Sequence, residues 1–492
     1  MKVLLVSPEY PVTFWSFKHV LGFVSKKAAY PPLGLLTVAG LLPESWSLRL
    51  VDMNVEKLRD AHIAEADLVM VGAMLVQKAS ALSVIERCRR QGVPVVGGGP
   101  LFTGLPDEFR PLVDHLVLDE AEITLPRFLE DLENGRPHKV YRADGFPDLS
   151  QTPLPRWDLI QIKHYASLLV QFSRGCPFNC EFCDITNMFG RKPRVKETGQ
   201  ILTELEAIYD LGWRESVFFV DDNFIGNKVK TKQLLSALIE WMREHDHPFT
   251  LLTEASINLA DDDELIEMLV EAGFDRVFIG LETPNEASLK ECQKNQNCAR
   301  DLVSAINKLQ HSGLQVFGGY IVGFDHDDES IFANQIKFIQ ESGVVTAMVG
   351  LLHAMPNTKL WQRLKQEGRL LLEATGNNSD GSLNFIPKMD PEKLVAGYRK
   401  IVRSIYSPRL YYRRISRFLE QYQPKRKKRL YPGDLKAFVR SIFYLGILGN
   451  GISQWYYWKL LLKTFLYHRR TTSEAITLMI FGHHFRKVAR MV

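Results

Sequence analysis

The sequence predicts an α/β protein in three parts: a doubly wound parallel sheet, a partial (β/α)6 barrel, and a mainly helical C-terminal extension. Three observations predict it. Short apolar runs alternate with amphipathic stretches from residue 2 to about 135, a second series of the same kind runs from 168 to about 350, and beyond 356 the pattern turns helical, aromatic and basic.

In the first series the strands fall at 3–6, 48–51, 68–71, 93–96 and 115–118, with a helix at 79–91. Turn-forming residues gather at the C-terminal ends of these strands (Ser7-Pro8, Gly72, and Gly97-Gly98-Gly99-Pro100), where open α/β sheets place ligands. This is a Rossmann-like, ligand-binding domain over residues 1–140. Pro147, Pro153 and Pro155 mark a linker over 141–164. In the second series, strands at 168–172, 216–220, 249–253, 276–280, 316–321 and 345–350 alternate with helices at 198–211, 231–243, 262–271, 298–312 and 329–342. Six parallel units over 165–355 close partway into a barrel whose reactive loops lie at the strands' C-terminal ends. Residues 356–492 form the helical third part.

The composition is that of an ordinary globular chain, 46% hydrophobic and 24% charged, which excludes a disordered or collagenous protein. The net charge of +4 conceals a division. Residues 401–492 hold 19 Lys+Arg against Glu420, Asp434 and Glu474, or +16, which leaves −12 for the body. Three of six cysteines lie between Cys176 and Cys183, a pattern for metal ligation in a reducing compartment rather than for disulfides. Met1-Lys2 leads directly into a strand and Pro8, with no signal-peptide core, so a cytoplasmic location is expected. The apolar run 441–458 is broken by Gly446, Gly449, Asn450 and Gly451 and reads as no membrane span.

Cys176-x3-Cys180-x2-Cys183 directly follows the first strand of the second series. Three thiolates on one loop can hold three corners of a four-iron cluster, leaving one iron open to a substrate or cofactor. A structural zinc site wants a fourth Cys or His at short spacing, and 184–196 contains neither. Cys292 and Cys298 lack further ligands for an auxiliary cluster and read as spare thiols; Cys88 reads as core.

With Phe182 before the third cysteine, this loop resembles that of the radical S-adenosylmethionine (SAM) superfamily. Asp221 and Asp222 within Phe218-Phe-Val-Asp-Asp-Asn-Phe224, Glu254 and Ser256 after the third strand, Glu282 within Phe278-Ile-Gly-Leu-Glu-Thr283, and Gly323 within Gly319-Tyr-Ile-Val-Gly-Phe324 agree with the family's strand-end motifs in order. The resemblance implies a 4Fe-4S cluster on Cys176, Cys180 and Cys183, with SAM held against its open iron by Phe182, Asp221, Asp222, Glu254, Ser256, Glu282 and Gly323. Taken alone, the three carboxylates Asp221, Asp222 and Glu282 read equally well as helix caps or solvent-facing groups. The resemblance further implies an external one-electron donor such as flavodoxin or ferredoxin.

A Rossmann-like sheet ahead of such a barrel resembles the cobalamin-dependent (B12) subgroup. The matching positions are Pro32, Leu33 and Gly34, Met74 and Leu75, and Gly97, Gly98 and Gly99. The resemblance implies a corrinoid against these segments, with no histidine beneath the metal, since Asp52-Met-Asn54 has no His and His62 lies on a later helix. The alternative is a Rossmann unit retained for packing, or one binding another nucleotide.

With Met355-Pro-Asn-Thr358, Glu367-Gly-Arg-Leu370 and Ile480-Phe-Gly-His-His-Phe-Arg486, residues 350–492 resemble the C-terminal extension of a branch that includes hopanoid C-2 methylases. The expected function is therefore methylation of an unactivated carbon on a small molecule, lipid or isoprenoid. Radical cyclisation, ring rearrangement or carbon–carbon coupling without net methyl transfer is the alternative, and a non-catalytic lipid-associated Fe-S sensor a third. Trp455, Trp458, Leu462 and Phe465 share a helix face flanked by Lys425-Arg-Lys-Lys-Arg429 and Arg469-Arg470. That pattern fits peripheral contact with the inner face of a membrane, or equally a core stripe beside a solvated loop. His483 and His484 serve either a pocket mouth or packing. A nucleic-acid partner is excluded by the acidic body and the lack of a recognition motif.

Overall fold

The computed structural model describes all residues except 373, 378, 426–431 and 468, so most of the basic run 425–429 lies outside the described residues. Six parallel strands form the first sheet in the order β2-β1-β3-β4-β5-β6: β1 (Lys2–Ser7), β2 (Ser47–Asp52), β3 (Leu68–Gly72), β4 (Val95–Gly98), β5 (His115–Val117) and β6 (Val140–Tyr141). β1 lies inside the sheet and is buried on both faces, as a continuous apolar run should be. Leu4 and Val6 pack with Val84, Ile85 and Cys88 of the helix Lys78–Gln91, while Val3 and Leu5 join Leu35, Leu36 and Ala39 of the helix Leu33–Leu41. β6 goes beyond the five strands expected; a two-residue strand carries no readable periodicity.

The second sheet takes the order β14-β13-β12-β11-β10-β7, all parallel: β7 (Ser167–Val170), β10 (Ser216–Phe219), β11 (Thr250–Ala255), β12 (Phe274–Glu282), β13 (Gln315–Val322) and β14 (Ala347–Leu351). A two-stranded ribbon, β8 (Ser173–Arg174) with β9 (Arg194–Val195), frames the cysteine loop. Alternation along each strand divides the residues between two faces. Leu168, Val217, Leu251, Val277, Val316 and Val349 join the helix-covered core, which is continuous with Val3 and Leu5 of the first sheet. Phe218, Glu254, Arg276, Phe278, Gly319 and Met348 alternate with that set and line the barrel's inner face.

The extension is helical, as expected. Asp390 and Ser407 cap the helices Pro391–Ile405 and Pro408–Gln421, each with proline at its first position. A hairpin follows, made of the helix Pro432–Ser441 with its π-helical turn Ile442–Ile447 and the helix Gly451–Tyr467; the helix Thr472–Met491 ends the fold. That last helix grips the segment after β1: His484 Nε2 donates to Phe14 O at 2.9 Å, and Phe485 stacks on Phe14 at 4.3 Å. His484 is a packing residue, and burial pushes its pKa down to about 4. No described helix is long and apolar enough to cross a membrane.

Arg414 fastens the extension to the barrel. It is wholly buried, donates to Ile405 O at 3.0 Å and to Val345 O at 3.2 Å, and lies over the rings of Tyr406 and Tyr411. Arg414→Ala strands two carbonyls and opens a cavity, and is expected to cost about 2–4 kcal/mol. Arg414→Met keeps the volume and should recover part of that loss. Thermal unfolding of the two variants checks the order; equal loss from both would contradict it.

Candidate active site

The cysteine loop leaves β8 at Gly175, whose φ of 93° suits glycine. A Cβ there would stand 2.9 Å from the carbonyl oxygens of Phe189 and Gly190. Asp222 accepts the Gly175 N–H at 2.8 Å, and Asn223 Nδ2 lies 3.9 Å from Cys176 Sγ. Gln296 Nε2 lies 3.8 Å from Cys180 Sγ. Burial pushes the thiols of Cys176 and Cys183 up, so bare thiolates would be disfavoured there; iron would supply the compensating charge. Among the described residues no three His, Cys, Asp or Glu side chains converge to clasp a single ion. A four-iron cluster takes each thiolate at a different iron and asks for no such convergence. The donor set therefore fits the cluster.

The other expected residues surround this loop in different ways. Asp221 is buried and occupied: it accepts from Ser173 Oγ at 2.5 Å and from the backbone N–H groups of Ser173 and Phe172, which pins the end of β7. Burial still holds its pKa up at about 7, and that of Asp222 at about 6. Ser256 donates its N–H to Asn223 Oδ1 at 3.2 Å and receives the Asn223 amide at 3.1 Å, so β10 and β11 are latched beside Cys176. Glu282 closes β12 with φ 59° and pairs with Lys294 Nζ at 2.7 Å. Gly323 has φ 105° and donates to Asp327 Oδ2 at 2.9 Å. Phe182 lies 6.0 Å from Lys294 Nζ and packs toward Phe324.

Sequence reasoning missed Lys294. It lies beside the cysteine loop and is largely buried; against the burial that would lower it, Glu282 and Cys180 hold its ammonium well above the ordinary lysine value. Lysine in a Gln-Lys-Asn turn carries no spacing signal. Arg174 was missed as well. It pairs with Glu120 at 2.6 Å and Glu122 at 2.8 Å, while Arg194 reaches Glu120 at 2.6 Å, so the first sheet is clamped to the ribbon beneath the cysteine loop. Glu181, inside the loop, holds Arg363 of the extension at 2.6 Å and donates its N–H to Cys292 O at 2.9 Å. Cys292 is thus a buried support for the loop, and Cys88 is core.

At the C-terminal ends of the first sheet, Met74 is half exposed, and nothing lies within 4 Å of where a Cβ on Gly34 would stand. Pro32 and Leu33 open the helix Leu33–Leu41, and Leu75 packs under Gly376 of the extension. The glycines here are required by internal packing: a Cβ on Gly97 would strike the Phe102 ring at 2.6 Å, one on Gly98 the Val117 carbonyl at 3.1 Å, and Gly99 has φ 87°. An uncovered apolar side chain beside open backbone, at the edge where such sheets bind ligands, fits a large planar cofactor.

Residues 22–129 match the B12 binding domain, 170–339 the radical SAM superfamily, and 358–492 a domain of unknown function, DUF4070. An uncharacterized methyltransferase of Synechocystis sp. is 42% identical, over 100% of this chain and 92% of its own length. A hopanoid C-2 methylase of Rhodopseudomonas palustris is 31% identical over 99% of this chain and 94% of its own. In fold the chain is similar to the radical SAM methyltransferase TsrM of Kitasatospora setae, with cobalamin and a [4Fe-4S] cluster bound (TM-score 0.65, 15% identity, 94% and 99% covered). It is also similar to the cobalamin-dependent radical enzyme OxsB (TM-score 0.64, 15% identity, 99% and 80% covered). The site and fold are those of a radical SAM enzyme with a B12-binding domain. The chain belongs to the cobalamin-dependent methyltransferase family of these enzymes that carries the DUF4070 C-terminal domain. Its cofactors are a 4Fe-4S cluster, SAM and cobalamin.

Two outcomes follow from the geometry. Lys294→Ala leaves buried Glu282 without its counter-charge and should cost about 3–5 kcal/mol, with Lys294→Ala/Glu282→Gln less harmful; anaerobic thermal unfolding reads both. The second concerns Glu254, on the barrel's inner face, where burial, then Asp222 and Asp221, push its pKa up to about 8. The folded state therefore holds this proton in a range where the unfolded chain, near the ordinary 4.5, has lost it. Stability from this group falls as pH rises between those values. Glu254→Gln should melt progressively higher relative to the native protein as pH goes from about 5 to about 9; a pH-independent difference would refute this.

Proposed function

We propose that this chain methylates an unactivated carbon of an apolar isoprenoid lipid. The lining of the barrel's inner face carries the reading. Trp15, from the segment after β1, sets its ring edge-on to Phe278 at 5.4 Å and donates its indole N–H to Met348 Sδ at 2.9 Å. Tyr30 lies 5.6 Å from Phe218. Fixed aromatic and thioether surfaces suit a rigid apolar body, which they hold by area and dispersion. Glu254, in register with Phe278, and Arg276, lower on the same face, add polar groups to this lining. The relative named as a hopanoid C-2 methylase supports the same substrate class.

In this reading Cys176, Cys180 and Cys183 hold the cluster. Phe182, Asp222, Glu254, Ser256, Glu282 and Gly323 position SAM, with Asp221 fixing the strand end behind them. Pro32, Leu33, Gly34, Met74, Leu75 and Gly97 to Gly99 form the cobalamin shelf, and a flavodoxin or ferredoxin delivers single electrons. When bound, the cofactors supply hydrogen-atom abstraction and methyl transfer. The chain's own task is to orient the target carbon and keep water away from it.

Anaerobic incubation of the reconstituted protein with a lipid extract and SAM bearing a deuterated methyl group should yield a lipid carrying the label. S-adenosylhomocysteine and 5′-deoxyadenosine should form together, and Cys176→Ala should abolish the labelled lipid and the deoxyadenosine. Deoxyadenosine without S-adenosylhomocysteine would turn the reading to cyclisation or coupling. Label confined to a water-soluble product would overturn the substrate class.

A further inference from the structure

The hairpin of the extension presents an apolar face that none of the other described residues covers. On its first arm and turn, Leu435, Val439, Phe443, Ile447 and Leu448 are exposed; on its second arm, Ile452, Trp455, Trp458, Leu462, Phe465 and Leu466. Exposure reaches 67% at Leu435 and 70% at Ile452. The two arms form one surface: Trp458 donates its indole N–H to Gly446 O at 3.0 Å, and the rings of Phe438 and Phe465 meet at 6.4 Å. A soluble chain seldom leaves so many large apolar side chains together without a partner.

Charge narrows the choice of partner. Between Asp434 and Glu474 the sequence has no carboxylate side chain, while Lys436, Arg440, Lys459, Lys463, Arg469 and Arg470 stand among the apolar residues. Lys436, Lys459, Arg469 and Arg470 are exposed, and Lys459 Nζ lies 4.6 Å from the Trp455 ring. Tryptophans beside lysines on the rim of an aliphatic face match the boundary between acyl chains and anionic headgroups. With no described helix fit to span, such a face lies in the interface plane.

The hairpin is also tied to the segment after β1. Arg440 donates to Phe23 O at 3.1 Å and Ser25 Oγ at 2.9 Å, and Tyr444 meets Phe23 at 5.5 Å. The same segment carries Trp15 into the barrel eight residues earlier. We propose that the hairpin 432–467 is an interfacial anchor for an anionic lipid bilayer, seated beside the segment that lines the barrel. The anchor stands independently of which molecule is methylated.

The full-length protein is sedimented with phosphatidylcholine vesicles and with vesicles that also contain phosphatidylglycerol. Binding should be markedly stronger to the anionic vesicles and weaken with salt. Trp455→Ser/Leu462→Ser should lower binding to both by roughly tenfold or more, whereas Lys436→Glu/Lys459→Glu should lower it on the anionic vesicles. All substitutions are at exposed positions, and unchanged circular dichroism melts certify folding. Equal recovery of the native protein in the supernatant with and without anionic vesicles would overturn the proposal. So would a native dimer by sedimentation velocity that Trp455→Ser/Leu462→Ser converts to monomer with vesicle binding unchanged, since the face would then belong to a second copy.

Discussion

The structure depends on the buried charge cluster of Arg174, Arg194, Glu120 and Glu122. Arg174 stands two residues before the first cysteine, and its carboxylate partners lie beyond the C-terminal end of β5. Burying such charges costs nearly as much as their attraction returns, so the cluster's value is in position rather than in stability. It fixes where the cysteine loop begins relative to the edge of the first sheet. Cofactors seated on two different domains need that offset held closely, because small misplacements of reacting groups cost large factors in rate.

The offset is reinforced by a core that does not respect the division into sheets. Val3 and Leu5 of β1 belong to the same apolar cluster as Leu168, Val217 and Val316 of the barrel, and Tyr165 just before β7 donates its hydroxyl to Asp52 at the end of β2 at 3.0 Å. The first sheet thus has one private face, toward the helix Lys78–Gln91, and one shared face. Glu181 and Arg363 repeat the arrangement on the other side of the cysteine loop, joining it to the extension. The loop is thus held on one side from the first sheet and on the other from the extension.

Elements whose signal is local were legible in the sequence. All six barrel strands and the five longer helices between them follow from apolar patterning, the short helices Ile185–Phe189 and Glu286–Glu291 do not, and Cys176, Cys180 and Cys183 follow from spacing. What was not legible depends on partners far along the chain. Arg174 meets Glu122 across 52 positions, and nothing in either segment announces the other. Asp221 and Asp222 are adjacent and chemically identical; only the fold spends one on Ser173 and turns the other to Gly175. The stripe of Trp455, Trp458, Leu462 and Phe465 has the same period whether it faces a core or open solvent, and the structure shows it exposed. The glycines Gly97 and Gly98 invited a reading in terms of a ligand, yet Phe102 and Val117 already demand them.

The contact between His484 and Phe14 joins positions 470 apart, which is a statement about order of assembly. Both sheets are complete in the chain before the helix Thr472–Met491 is made, and native contacts of such long separation form late because their loop entropy must be met first. Until then the segment bearing Phe14, Trp15 and Phe17 lacks the aromatic surface of Phe481 and Phe485 against which it rests. The wall that Trp15 adds to the barrel is therefore built from two segments far apart in the sequence, and it depends on both.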